Sequence, residues 1–168
     1  MRRHLARSGS TPPSDWGKGH AVASLLVFDV ATCRPLLDRV SELLGDDVLL
    51  WGASLVHRPV GSQHPRHTDI ESATEIGRTV TAWIGLANTN LRSSLQVVTH
   101  SHSFGVTLQE TMARRDRTRL EVTDADVADW ARKYDPRSEL FQVDMRDGDA
   151  ILFDGRLWHG SRNTNLWG

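Results

Sequence analysis

Residues 147–161 read Asp-Gly-Asp-Ala-Ile-Leu-Phe-Asp-Gly-Arg-Leu-Trp-His-Gly-Ser, and this stretch decides the fold class predicted for the chain. Its centre, 150–153, is a short apolar run bounded by turn formers, which is typical of a β-strand. Asp147-Gly148, just before this run, favours a two-residue hairpin turn. Short strands with a tight hairpin late in the chain indicate a sandwich or jelly-roll rather than a wound α/β sheet.

Four further segments of the same kind lie upstream, each short and rich in β-branched and aromatic residues. They are residues 48–56, 79–86, 95–98 and 140–145. We therefore predict a mainly β protein, to which the helices described next are added as flanking supports.

Two segments have helical rather than strand spacing. The first is 33–44, where Thr32 can cap the helix, Pro35 fits its first turn and Gly45 ends it. The second is 124–134, preceded by Thr123 three residues before Asp126, as in a capping box. Residues 103–122 break the strand pattern, and we predict that they form a long polar insertion.

The length and composition fit one globular domain. The chain has 168 residues, of which 39% are hydrophobic and 13 are glycine. Residues 8–20 are rich in Ser, Pro and Gly, so we predict an extended arm over 1–20 and the folded domain over 21–168. Its 20 basic and 21 acidic residues give a net charge of −1, which argues against nucleic acid as a partner.

The location is predicted from what the sequence contains. Cys33 is the only cysteine, so an intrachain disulfide or a thiolate metal cluster is excluded. Gly, Ser and Pro follow the basic N-terminal residues where a secretory signal needs an apolar run, and the apolar runs are too short for a membrane helix. We predict a cytoplasmic protein that does not bind membranes, and leave its oligomeric state open.

The candidate metal ligands begin in residues 64–69, His-Pro-Arg-His-Thr-Asp. In a strand, His67 and Asp69 would project to one face, and His159 can supply a third ligand from far downstream. Two histidines and one carboxylate are the ligands of non-haem iron(II) oxygenases. His64 is a less favoured ligand, because Arg66 rather than a carboxylate follows it, and a plain surface contact between His67 and Asp69 remains an alternative.

The sequence resembles the phytanoyl-CoA dioxygenase-like family of iron(II)/2-oxoglutarate-dependent oxygenases. The resemblance runs from about Leu36 to the end of the chain. Its most specific parts are His67-x-Asp69, the strand of Trp83, the segment 95–102 and the segment 148–161. It implies a double-stranded β-helix, a cupin-like jelly-roll with helices packed outside. The activity implied is hydroxylation of a small-molecule substrate by dioxygen, with 2-oxoglutarate decarboxylated to succinate.

The resemblance also implies roles for individual residues. His67, Asp69 and His159 match the iron ligands, and Thr68, Trp83 and Ser161 match positions that line the 2-oxoglutarate pocket. Arg58 falls where the family often has a basic residue facing the cosubstrate or the substrate.

The sequence departs from the family pattern in three places. The usual Gly-Ser-His turn reads His100-Ser101-His102, and Thr68 replaces the glutamine or similar residue often found inside the first motif. The arginine that pairs with the far carboxylate of 2-oxoglutarate would fall beyond Gly168. We expect a chain cut short of its last strand, or else Arg162 or Arg58 in the role of that arginine.

Two other functions remain open at this point. One is a catalytically inactive or truncated β-helix that serves as a binding domain. The other is a cupin-like enzyme that uses another divalent metal without 2-oxoglutarate.

Overall fold

The computed structural model of the protein describes residues 24–70 and 78–166. Its internal contacts divide the chain into two compact units, Met1–His57 and Arg58–Gly168. The predicted arm over 1–20 lies outside the described residues, and the single domain over 21–168 stays a prediction.

Over residues 24–57, the first unit contains two helices, α1 (Leu25–Ala31) and α2 (Arg34–Leu44). The sequence predicts α2 but not α1. Thr32 does not cap α2, because its hydroxyl donates to Phe28 O (2.8 Å) at the end of α1, and Cys33 occupies the N-cap position. The strand predicted over 48–56 is wrong: this stretch holds only an isolated bridge residue, and Trp51 is 81% exposed. An apolar segment whose side chains stay exposed gains no stabilisation from side-chain packing by pairing as a β-strand.

Among its described residues, 58–70 and 78–166, the second unit contains six strands and two helices. The strands are β1 (Gln63–His67), β2 (Val80–Ile84), β3 (Leu95–Val98), β4 (Leu140–Gln142), β5 (Ala150–Asp154) and β6 (His159–Arg162). The helices are α3 (Leu108–Ala113) and α4 (Asp124–Tyr134), with a short 3-10 turn at Ser101–Ser103. The strands form a four-stranded sheet in the order β1-β6-β3-β4 and a two-stranded sheet of β2 and β5, and all pairs are antiparallel.

The predicted hairpin at Asp147-Gly148 is wrong. A tight turn does form, with Gly148 at φ +92° and Asp149 N–H donating to Arg146 O (3.1 Å). However, β4 pairs with β3 while β5 pairs with β2, so the turn carries the chain from one sheet to the other. The dipeptide determines the turn, but the partners of the flanking strands are set by long-range packing.

Alternate residues of β3 face two different apolar clusters. Leu95 and Val97 pack with Phe153 of β5, and the half-buried Trp83 of β2 joins them. Val98 faces the other way, toward the helices and Trp158. The four-stranded sheet is therefore covered by the two-stranded sheet on one face and by helices on the other.

The helical layer is partly predicted by the sequence. Helix α4 has the predicted bounds and the predicted capping box of Thr123 and Asp126. The prediction that 103–122 is only a polar insertion is wrong, because α3 lies within it and buries Leu108 and Met112. A second capping box, which the sequence analysis did not identify, opens α3 at Thr107.

The fold class is thus mainly small antiparallel sheets with a few helices, which is compatible with the predicted cupin-like fold. Closure of the two sheets into a double-stranded β-helix stays a prediction. Within the described ranges, none of the helices is long and apolar enough to cross a membrane.

Candidate metal centre

Three side chains of the second unit converge on one point. His67 ends β1, Asp69 follows two residues later, and His159 begins β6. One ligand atom from each lies within 4.8 Å of the other two. Asp69 Oδ1 is 3.4 Å from His67 Nε2 and 3.6 Å from His159 Nε2. The structure therefore brings together the three residues that the sequence proposes as metal ligands.

Strand pairing places the two imidazoles side by side. His67 and His159 are partners across β1 and β6, and their ring centroids are 4.3 Å apart. Each Nδ1 lies 2.9 Å from a carbonyl oxygen two residues earlier, Pro65 O for His67 and Leu157 O for His159. A carbonyl oxygen only accepts, so each Nδ1 can donate there, which leaves Nε2 as the ligand atom that faces Asp69. This backbone contact is typical of metal-binding histidines.

Asp69 reaches the same point without being part of a strand. The predicted common strand face is wrong in this detail, because β1 ends at His67. Asp69 N–H donates to Gly155 O (3.0 Å), and Thr81 Oγ1 donates to Asp69 Oδ2 at 2.5 Å. Thr81 thus binds one carboxylate oxygen, while the other faces the imidazoles. Sequence reasoning missed Thr81, whose only signal was its place in the predicted strand 79–86.

A β-bulge brings a third imidazole next to the site. The pairing shifts between His64, opposite Ser161, and His67, opposite His159, so β1 has one extra residue. His64 and His67 consequently project to the same face, with ring centroids 4.6 Å apart. The group of converging ligand atoms contains His67 and not His64.

Burial and neighbouring charges set the protonation of the centre. Burial, reinforced by His67, lowers the pKa of His159 to about 4, and burial with His67 and Arg58 lowers the pKa of His64 to about 4. Burial alone would raise the pKa of Asp69, but His67, His159 and Thr81 outweigh it and lower this pKa to about 2. At neutral pH an ionised carboxylate therefore faces the neutral imidazole of His159, as divalent metal binding requires.

Two of the four residues predicted to bind the cosubstrate, Ser161 and Trp83, lie on the side of the site where His159 projects. Ser161 is buried and follows His159 by two residues along β6, so both side chains share one face of the strand. Trp83 packs in the cluster of Phe153, whose ring lies 4.8 Å from that of His159.

The other two residues predicted to bind the cosubstrate, Thr68 and Arg58, make different contacts from each other. Thr68 is buried, and its hydroxyl lies 2.8 Å from Ile70 O and 2.7 Å from Gln109 Oε1. Arg58 is half-buried, and its Nε is buried with no hydrogen-bond partner among residues 24–70 and 78–166. Burial also lowers the pKa of Arg58.

Arg162 is the second arginine that the sequence proposes for the far carboxylate of 2-oxoglutarate. It is exposed, and its guanidinium donates to Gln63 Oε1 (3.2 Å). It alternates with Ser161 along β6 and so projects to the opposite face of the strand. The positive charge of Arg58 contributes to lowering the pKa of His64.

Two histidines and one carboxylate on a mainly antiparallel β scaffold match the donor set of mononuclear metal centres with open coordination positions. The family model for phytanoyl-CoA dioxygenase (PhyH) matches residues 12–165. The chain therefore belongs to the phytanoyl-CoA dioxygenase family. No curated protein and no solved structure shows significant similarity to it.

Proposed function

We propose that this protein is an iron(II)/2-oxoglutarate-dependent dioxygenase that hydroxylates a small-molecule substrate. The observation that carries the proposal is the convergence of His67, Asp69 and His159 within 4.8 Å. Membership of the phytanoyl-CoA dioxygenase family supports it independently.

The residues present fit a ferrous ion. Two Nε2 lone pairs and one carboxylate oxygen are the donors that ferrous oxygenases use, and they leave coordination positions for a keto acid and for dioxygen. When bound, iron(II) together with 2-oxoglutarate and dioxygen supplies the oxidising power for hydroxylation, and 2-oxoglutarate is released as succinate and carbon dioxide. The task of the chain is to fix the ligand geometry and to orient the substrate.

Arg58, Thr68, Trp83 and Ser161 are proposed to receive the cosubstrate. Ser161 lies two residues from His159, roughly 6–7 Å along the strand, so it suits the far end of a five-carbon diacid. A cosubstrate carboxylate would satisfy the buried Nε of Arg58. Trp83 contributes an apolar wall, and Thr68 lies in the chain between the ligands His67 and Asp69.

The test measures metal binding and turnover separately. Ferrous ion is titrated anaerobically, and succinate is then quantified with iron(II), 2-oxoglutarate, ascorbate and air. We expect both signals to be lost in Asp69→Ala. They should persist in Asp154→Ala, a matched control because that carboxylate pairs with Arg156 (2.6 Å) and lies outside the converging group.

The same experiment separates the remaining alternatives. Absence of metal binding by the unaltered chain would favour a binding domain without catalysis. Turnover of a substrate with manganese or zinc, independent of 2-oxoglutarate, would favour a cupin-like enzyme that uses another metal. The cytoplasmic location is likewise a proposal.

A further inference from the structure

The backbone N–H and C=O of the residue between His67 and Asp69 are held by a side chain from outside the sheet. Thr68 separates His67 from Asp69 and is 2% exposed. Its N–H donates to Gln109 Oε1 (2.9 Å), and Gln109 Nε2 donates to Thr68 O (2.7 Å). One primary amide thus pairs with both backbone groups of Thr68, as a neighbouring strand would.

Thr68 needs this partner because of where the sheet ends. Within the described part of the chain, the ladder between β1 and β6 stops at His67 and His159. The next backbone N–H, that of Asp69, already donates to Gly155 O (3.0 Å). Leaving a buried peptide group unpaired is costly, so Gln109 completes the pairing at the point where the two ligands meet.

Gln109 is itself fixed by its helix. It occupies the second position of α3, which is opened by the reciprocal hydrogen bonds of Thr107 and Glu110. On either side of it, Leu108 and Met112 are 0% and 3% exposed in the apolar cluster under the helices. The amide is therefore presented to Thr68 from a packed element rather than from a loop.

We infer that Gln109 is a positioning residue of the metal centre. Gln109 holds both the N–H and the C=O of Thr68, and so sets the directions in which the side chains of His67 and Asp69 leave the backbone. These directions in turn set the distance of 3.4 Å between His67 Nε2 and Asp69 Oδ1. This inference rests on the proposed function, which it deepens by giving the segment 103–122 a role in metal binding.

The test compares metal binding by Gln109→Met and Gln109→Glu with that of the unaltered chain. Cobalt(II) is the probe, titrated at neutral pH, and its visible spectrum reports ligand geometry. Methionine preserves the volume but makes none of the hydrogen bonds, so we expect affinity to fall about tenfold, with altered bands. In Gln109→Glu the side chain still accepts from Thr68 N–H but cannot donate to Thr68 O. We therefore expect its cobalt(II) affinity to lie between those of the unaltered chain and Gln109→Met.

Gln142→Met is the matched control, because Gln142 also uses its amide on buried backbone. Its Nε2 donates to Leu95 O (3.1 Å) and Ser94 O (3.2 Å), away from the metal ligands. We expect this variant to lose thermal stability while binding cobalt(II) as the unaltered chain does. If Gln109→Met does not fold, Gln109→Glu decides.

Three results would overturn the inference. Unaltered cobalt(II) affinity and spectrum in a folded Gln109 variant would overturn the inference but not the proposed function. So would an equal loss in Gln142→Met, because the effect would then be general destabilisation. If the unaltered chain binds neither cobalt(II) nor iron(II), the proposed function and the inference fail together.

Discussion

Thr81 determines which oxygen of Asp69 faces the two imidazoles. Its hydroxyl donates to Asp69 Oδ2 (2.5 Å), and the same hydrogen bond contributes to the low pKa of the carboxyl. A metal ligand that is oriented by a second side chain loses less conformational freedom when the ion binds.

We predict that Thr81→Val weakens ferrous binding by about tenfold, because valine keeps the shape but cannot donate to Asp69. The pKa of Asp69 should rise at the same time, and because the weaker complex is displaced at a lower proton concentration, the pH below which the metal is released moves upward. Anaerobic titrations at several pH values measure both effects. Thr164→Val is the control, because that hydroxyl donates to Arg92 O (3.1 Å), away from the converging ligands. An unchanged release pH in Thr81→Val would contradict the assignment.

At this scale the sequence predicts the ligands but not the residues that hold them. His67, Asp69 and His159 carry a local pattern and a resemblance, and both can be read along the chain. Thr81 and Gln109 carry neither. Their roles depend on the orientation of β2 beside Asp69 and on the packing of α3 against Thr68, which are contacts between distant segments.

Among the strands, the close approach of β1 and β6 is what aligns the two histidines. Gly160 follows His159 on β6 and lies against β1. A Cβ on Gly160 would stand 3.1 Å from both Arg66 Cα and His64 O, and 2.9 Å from Arg66 Cγ. Two of these atoms are backbone, so the strands would have to separate.

We predict that Gly160→Ala destabilises the fold by about 1–3 kcal/mol, as overpacking does elsewhere, and also weakens metal binding. Urea denaturation and ferrous titration measure the two effects. Gly148→Ala is the control: it has φ +92° but open space around a Cβ, so it should cost stability through backbone strain alone. If both variants bind iron equally well, the alignment of His67 and His159 does not depend on this contact.

A helix or strand can be predicted from sequence to the extent that the residues that determine it lie within its own segment. Helix α4 is predicted to the residue because its capping box and apolar spacing lie within its own sequence. The turn at Asp147-Gly148 is also predicted, but its hairpin is not, because β4 and β5 find their partners in different sheets. The strand predicted at 48–56 has the composition of a strand but remains exposed around Trp51.

For the whole molecule, the buried imidazoles link stability to pH. His159 and His64 have pKa values lowered to about 4 from the ordinary histidine value of 6.5, so the unfolded chain binds protons that the folded chain does not. The stability they contribute is fully present above pH 6.5 and is lost as the pH falls toward 4. Below pH 4, Asp69 also makes the stability fall as the pH falls, because its pKa is lowered from 3.8 to about 2.

We predict that the free energy of unfolding of the metal-free protein falls steadily between pH 6.5 and 4, with His159 alone contributing about 3 kcal/mol at most. His64→Gln removes one of the two protonation sites, so the slope of stability against pH should become shallower in this window. Urea denaturation at constant ionic strength measures the slope. A slope that stays the same in His64→Gln would contradict this assignment.

Metal binding should steepen the same dependence, because protons compete with the ion for His67 and His159. With saturating manganese(II) as a redox-inert probe, we expect added stability at pH 7.5 that disappears by about pH 5. Asp69→Ala should abolish this metal-dependent increase without removing the histidine-linked slope, because His64 and His159 remain buried. A manganese effect that persisted in Asp69→Ala would place the ion outside the converging group.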